Sequence, residues 1–224
     1  MSVTETFIDI APEQQVSALL QTGAENHCLL VLGHGAGAGM HHPFMCDFAE
    51  NLAQRGVATL RYQFPYMQRG RRSPDSRKTL LASVRAAVAH AHALLPDLPL
   101  FLGGKSMGGR MASLAMSEQA DELVRGLVFV GFPLHNAGKR GNERADHLLQ
   151  VSLPMLFLQG TRDKLADLTY LQPVCERLGA RATLHVVEDG DHSFGMLKRS
   201  GRTQADALVE LADTIRSWTR NLSS

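Results

Sequence analysis

Cysteine is scarce in this 224-residue sequence, and its three copies, Cys28, Cys46 and Cys175, cannot all pair with one another and show no C-x-x-C spacing. Neither a disulfide framework nor a zinc site is indicated, so no metal and no cofactor is expected and a reducing compartment fits best. Net charge is nearly absent as well: 23 Lys and Arg stand against 22 Asp and Glu, a formal +1. Such a balance gives no whole-chain attraction to nucleic acid or to an anionic membrane, so any electrostatic effect must be local. Nowhere do about 18 consecutive apolar residues occur, the length a membrane span needs. The stretch MSVTETFIDIAPEQQ carries acidic residues and no apolar core, which argues against export and makes the cytoplasm the expected location. Repeats, low-complexity tracts and Ser/Gly-rich linkers are missing too, and one domain over residues 1–224 is expected.

What is present is alternation. The short apolar runs CLLVLG (28–33), VATLRYQF (57–64), LPLFLG (98–103), GLVFVGF (126–132), PMLFLQG (154–160) and ATLHVVE (182–188) are separated by segments of helical periodicity at 43–55, 76–95, 107–119, roughly 165–178 and 203–218. Unbroken apolar strands alternating with helices predict an α/β fold, a mostly parallel sheet with helices on both faces. TFIDIA and VSALLQT, joined by the PEQQ region, read as an antiparallel edge to six parallel strands.

Gly104-Lys105-Ser106-Met107-Gly108 matches G-x-S-x-G immediately after LPLFLG and immediately before a helical segment. The pattern alone arises by chance now and then; the strand-turn-helix placement gives it weight as a nucleophile turn. Glycines two before and two after the serine leave space where strand and helix crowd together, and the following helix directs its free N–H groups toward developing negative charge. A serine hydroxyl is a weak nucleophile and needs a base, which in turn needs an orienting carboxylate. Asp163 follows PMLFLQG and His192 follows ATLHVVE, giving the order Ser, acid, His with each on a loop after a later strand. Asp163 is favoured over Asp167 because it lies nearer the strand end. Glu188, Asp189 and Asp191 are alternative acids that read more simply as loop charges. His90 and His92 fall in a helical segment and His185 in a strand.

The run GHGAGAG (33–39) offers one oxyanion donor, the backbone of Ala36 with Gly35 and Gly37 as neighbouring choices, and Met107 offers the other. His34, with His41, His42 and Cys46 nearby, has poor spacing for a metal. The loop QRGRRSPDSRK (68–78) is expected at the carboxyl end of the sheet, where α/β ligands bind, and Arg69 and Arg72 are its candidate contacts to an anionic substrate group.

The blocks GHGAGAGMHHPFM, LRYQFPYMQRGRR, GGKSMGGRMAS, GFPLHNAGKR, LQGTRDKL and DGDHSF together resemble the α/β-hydrolase superfamily, and within it the small hydrolase-like proteins related to dienelactone hydrolase and to the KANL3/Tex30-type domain. The resemblance covers most of the chain and implies Ser106, Asp163 and His192 as a triad. A serine stands where dienelactone hydrolases use cysteine, so their lactone substrate is not implied. The stretch between GLVFVGF and PMLFLQG is too short for a multi-helix lid, which suits a small soluble ester or thioester as the partner molecule. The alternative is a hydrolase-fold interaction module without catalysis, because fold does not fix function.

Overall fold

The structure, a computed structural model, describes residues 1–136 and 138–223. Eight strands form one sheet in the order β1-β2-β4-β3-β5-β6-β7-β8. β1 (Ser2–Ala11) and β2 (Gln14–Thr22) form an antiparallel hairpin, and β2 pairs antiparallel with β4 (Val57–Tyr62). From β4 onward every neighbour is parallel: β3 (Cys28–Gly33), β5 (Leu100–Lys105), β6 (Val124–Val130), β7 (Met155–Gly160) and β8 (Ala182–Val187). Six parallel strands and an antiparallel edge are the expected sheet.

Helices α1 (Pro43–Ala53) and α6 (Gln204–Ser223) cover one face. On that side Phe48 and Leu52 meet Leu211 and Ile215 over Leu30, Leu32 and Val128, all buried. Helices α3 (Arg77–Leu94), α4 (Met107–Glu118) and α5 (Leu168–Leu178) cover the other, where Val84, Val88, Ala112 and Leu171 pack on Leu29, Val31 and Phe129. Cover on both faces explains why β3, β4, β5 and β7 are buried along their whole length, each fully buried Leu or Phe contributing about 2 kcal/mol.

Element ends depart from the sequence expectation for local reasons. β4 stops at Tyr62 rather than continuing through Phe64 because Pro65 opens the short helix α2 (Pro65–Gln68), and proline cannot donate to a ladder. β5 begins after Pro99 and runs to Lys105, delivering the chain directly to Ser106. α5 begins at Leu168 because the Asp167 side chain caps it, accepting from the Thr169 N–H at 2.9 Å. Among the described residues, no helix is long and apolar enough to cross a membrane.

Candidate active site

Ser106 stands between β5 and α4 with φ 51° and ψ −112°. That backbone is costly for a residue with a Cβ, by about 1–3 kcal/mol, and persists only where its surroundings enforce it. Here three glycines do so. A Cβ on Gly104 would lie 2.4 Å from the Gly33 carbonyl oxygen, and one on Gly108 would lie 2.2 Å from that same atom. Gly33 is the end of the neighbouring strand β3 and is paired with Gly104. The turn is therefore a three-glycine contact, of which the sequence pattern displays only two members.

His192 and Asp163 arrive from the loops after β8 and β7. His192 Nε2 lies 3.0 Å from Ser106 Oγ, and its Nδ1 lies 2.7 Å from Asp163 Oδ2. Asp163 is 5% exposed, yet its carboxylate is well supplied with donors: Gln159 Nε2 at 2.5 Å on Oδ2 and the Leu165 N–H at 2.8 Å on Oδ1. Burial alone would raise its pKa, but the His192 hydrogen bond and charge, with the Leu165 and Gln159 bonds, outweigh it and hold the carboxyl below its ordinary value. An ionised Asp163 fixes the imidazole with Nδ1 protonated and Nε2 free to accept from the serine hydroxyl.

The competing acids have other tasks. Asp167 is the α5 cap. Asp191 accepts from the Ser193 and Gly195 N–H groups at 2.8 and 2.9 Å, closing the turn that carries His192. Asp189 pairs with Arg199 at 3.8 Å and Glu188 accepts from Thr161.

At the other side of Ser106, the Ala36 N–H has no partner among the described residues, whereas Gly37 N–H donates to the Tyr66 hydroxyl at 3.1 Å and Ala38 N–H to Gly35 O at 3.2 Å. Met107 is the first residue of α4, so its N–H is one of the donors a helix leaves unused. Both Ala36 and Met107 line the cavity that contains Ser106. His34 braces this loop from below. Its Nε2 accepts the Phe64 N–H at 3.1 Å, which requires the proton on Nδ1, and Nδ1 then donates to Gly35 O at 2.7 Å. Burial pushes its pKa down to about 4 despite the Gly35 bond, so it is a neutral strut. Among the described residues no three His, Cys, Asp or Glu side chains gather as a metal site.

Ser106 lies between two cavities. One, about 430 Å³, runs over α4 and is lined by Met107, Leu80, Met111 and Leu114 with Arg77, Arg110 and Arg144. The other, about 290 Å³, holds His192, Phe44, Met45, His42 and Lys105. A third large cavity, about 470 Å³, opens at the amino ends of β3 and β4 beside Glu25, His27 and Arg216, away from Ser106.

Arg69 and Arg72, the expected contacts to an anionic substrate group, line neither cavity at Ser106. Arg69 is drawn aside by an ion pair with Asp75, and Arg72 is exposed on the turn after α2. The arginines at the site are others. Arg110 lies four residues after Ser106, one turn along the same helix, a spacing visible in the sequence. Arg144 comes from the segment between β6 and β7, where residues 143–150 form a 3-10 helix docked on α4 through a 2.7 Å hydrogen bond between Ser113 Oγ and His147 Nε2. This segment is a side wall of the cavity and not a lid.

A family model described as an alpha/beta hydrolase domain matches residues 26–220. Among solved structures, a dienelactone hydrolase from Anabaena variabilis superposes with a TM-score of 0.78 at 21% identity, covering 98% of this chain and 97% of that one. A lidless α/β serine hydrolase from Xanthomonas campestris superposes at 0.72 and 21% identity, covering 96% and 94%. The esterase domain of a Rhodothermus marinus protein superposes at 0.74 and 14% identity, covering 99% of both. Identities this low speak for the fold, and the family match speaks for descent: the chain belongs to the alpha/beta hydrolases.

Proposed function

We propose that the protein is a serine hydrolase of small carboxylic esters or thioesters, working through an acyl-enzyme. Ser106 Oγ attacks the carbonyl carbon while its proton passes to His192 Nε2, and the Met107 and Ala36 N–H groups receive the oxyanion. Collapse of the tetrahedral adduct breaks the bond to the alcohol or thiol, which leaves with the proton from His192. Water then attacks the acyl-enzyme with His192 again as base, releasing the carboxylic acid and restoring Ser106.

The observation that carries this reading is the unbroken chain Ser106 Oγ, His192, Asp163, at 3.0 and 2.7 Å, on a serine held in a strained backbone. Esterases and a lidless serine hydrolase among the similar structures add support. With no lid over Ser106 among the described residues, short soluble acyl groups suit the site better than lipids, and the three free cysteines suit a reducing compartment such as the cytoplasm. A panel of short-chain 4-nitrophenyl esters, acyl thioesters and lactones, assayed with wild type and Ser106→Ala, tests it. Turnover of an ester or thioester that disappears in Ser106→Ala is expected. Turnover of none, or turnover that survives the substitution, contradicts it.

A further inference from the structure

The cavity of about 430 Å³ beside Ser106 is lined by three arginines, Arg77 at the start of α3, Arg110 in α4 and Arg144 in the 3-10 segment. Among the described residues no carboxylate lines it. Arg77 is paired outward with Glu118 at 2.6 Å, and Arg144 is held by neutral acceptors, the Asn136 side chain and the His135 carbonyl. Arg110 Nε is buried and makes no hydrogen bond among the described residues. His135, which also lines the cavity, donates from Nδ1 to Asn136 O at 3.0 Å, and its buried Nε2 has no partner among the described residues. An unmatched buried guanidinium donor beside like charges is costly, and an anion with several acceptor oxygens is the group that satisfies it while offsetting its neighbours' charge.

The surroundings record the same excess. Burial lowers the Arg110 pKa, and the charges of Arg144 and Arg77 lower it further. Burial, then Arg110 and Arg77, hold neighbouring His147 down to about 4.

The two cavities at Ser106 also differ in what they can receive. His192, which hands its proton to the departing group, lines the smaller cavity and not the larger one, whereas of the two oxyanion donors Ala36 lines both and Met107 only the larger. The leaving alcohol or thiol therefore belongs with Phe44 and Met45, and the acyl chain runs toward Leu80, Met111 and Leu114.

We propose that the larger cavity is an acyl pocket for chains ending in a carboxylate, with Arg110 and Arg144 as its specificity-determining residues, so that the preferred substrate is a monoester or monothioester of a short dicarboxylic acid. Leu80, Met111 and Leu114 take the methylene chain and the guanidinium pair takes the terminal carboxylate. This inference rests on the serine-hydrolase reading.

The test compares kcat/KM for the mono-4-nitrophenyl ester of adipic acid with that for 4-nitrophenyl hexanoate, which has a methyl group in place of the carboxylate, and with the methyl 4-nitrophenyl diester of adipic acid, which is the neutral control. Wild type is expected to favour the acidic ester about tenfold or more, the worth of one charge-assisted hydrogen bond. Arg144→Gln, on a surface segment, and Arg110→Gln should each bring that ratio down toward one, acting chiefly through KM. A ratio near one in wild type, with Ser106-dependent hydrolysis of the neutral esters intact, overturns the acyl pocket and leaves the serine hydrolase standing. A ratio that survives both substitutions also overturns it. If no ester is turned over, calorimetric titration of adipate into wild type and Arg110→Gln decides separately: binding lost in the variant supports the pocket, and no binding to wild type removes it.

Discussion

Gly33 and Gly108 touch backbone to backbone: the position of a Cβ on Gly108 falls 2.2 Å from the Gly33 carbonyl oxygen and 2.9 Å from its Cα. The end of β3 and the first turn of α4 are thus pressed together around Ser106, and neither partner can yield by moving a side chain. Gly108→Ala is expected to destabilise the fold by about 3 kcal/mol, at the upper end of overpacking costs. It should also lower kcat, because the relief of the clash must tilt α4 and with it Met107. Thermal unfolding and ester turnover on the same preparation check both effects.

Asp163 and Asp167 are four residues apart with different work to do. Asp163→Asn keeps the size of the side chain but offers an amide to His192 Nδ1, favouring the wrong tautomer, and should reduce kcat by about 10³–10⁴ with the fold retained. Asp167→Ala removes only the α5 cap, costing about 1 kcal/mol of stability and leaving turnover as it was. Steady-state kinetics with denaturant titration separate the pair.

Fold and site were unequally legible in sequence. Strand runs such as CLLVLG declare themselves because both faces of β3 are buried and every residue must be apolar. Ser106, Asp163 and His192 could be nominated because each follows such a run. Gly33 could not be matched to Gly108, since nothing local in GHGAGAG says which helix it will meet. Arg77, Arg110 and Arg144 share a cavity through three elements spread over the chain, and no spacing rule joins them. The dense basic run holding Arg69 and Arg72 is the more conspicuous feature in sequence, although clustered charges in a loop more often face solvent, as Arg72 does.

His34 makes stability depend on pH at the acid end. Its pKa lies at about 4 in the folded chain against an ordinary 6.5, so between those values the unfolded chain binds a proton that the folded chain does not. Stability from this residue is fully present above pH 6.5 and falls as pH drops toward 4, by up to about 3 kcal/mol. Protonation at Nε2 also breaks the bond from the Phe64 N–H. Denaturant midpoints measured from pH 7 to pH 4 should fall less steeply in His34→Gln than in wild type.

Lys105 acts in the opposite pH range. It is 8% exposed, its ammonium lies 5.9 Å from the Phe44 ring centre, and burial lowers its pKa to about 8 against the upward pull of Asp163 and Asp191. Between pH 8 and 10.5 the unfolded chain holds the proton and the folded chain releases it, so this residue's penalty is present below pH 8 and is relieved as pH rises. Lys105→Met should raise the melting temperature at pH 7 by about 3 °C or more and flatten the rise in stability above pH 8.

The central claim is that Ser106 is a nucleophile activated by His192, and a fluorophosphonate probe reads it most directly, with the adduct located by mass spectrometry of the digested protein. Folded wild type should be labelled on Ser106, with labelling abolished in Ser106→Ala and slowed in His192→Ala. Folded wild type that takes up no label, or carries it at another residue, contradicts the account and favours a hydrolase fold kept for binding alone.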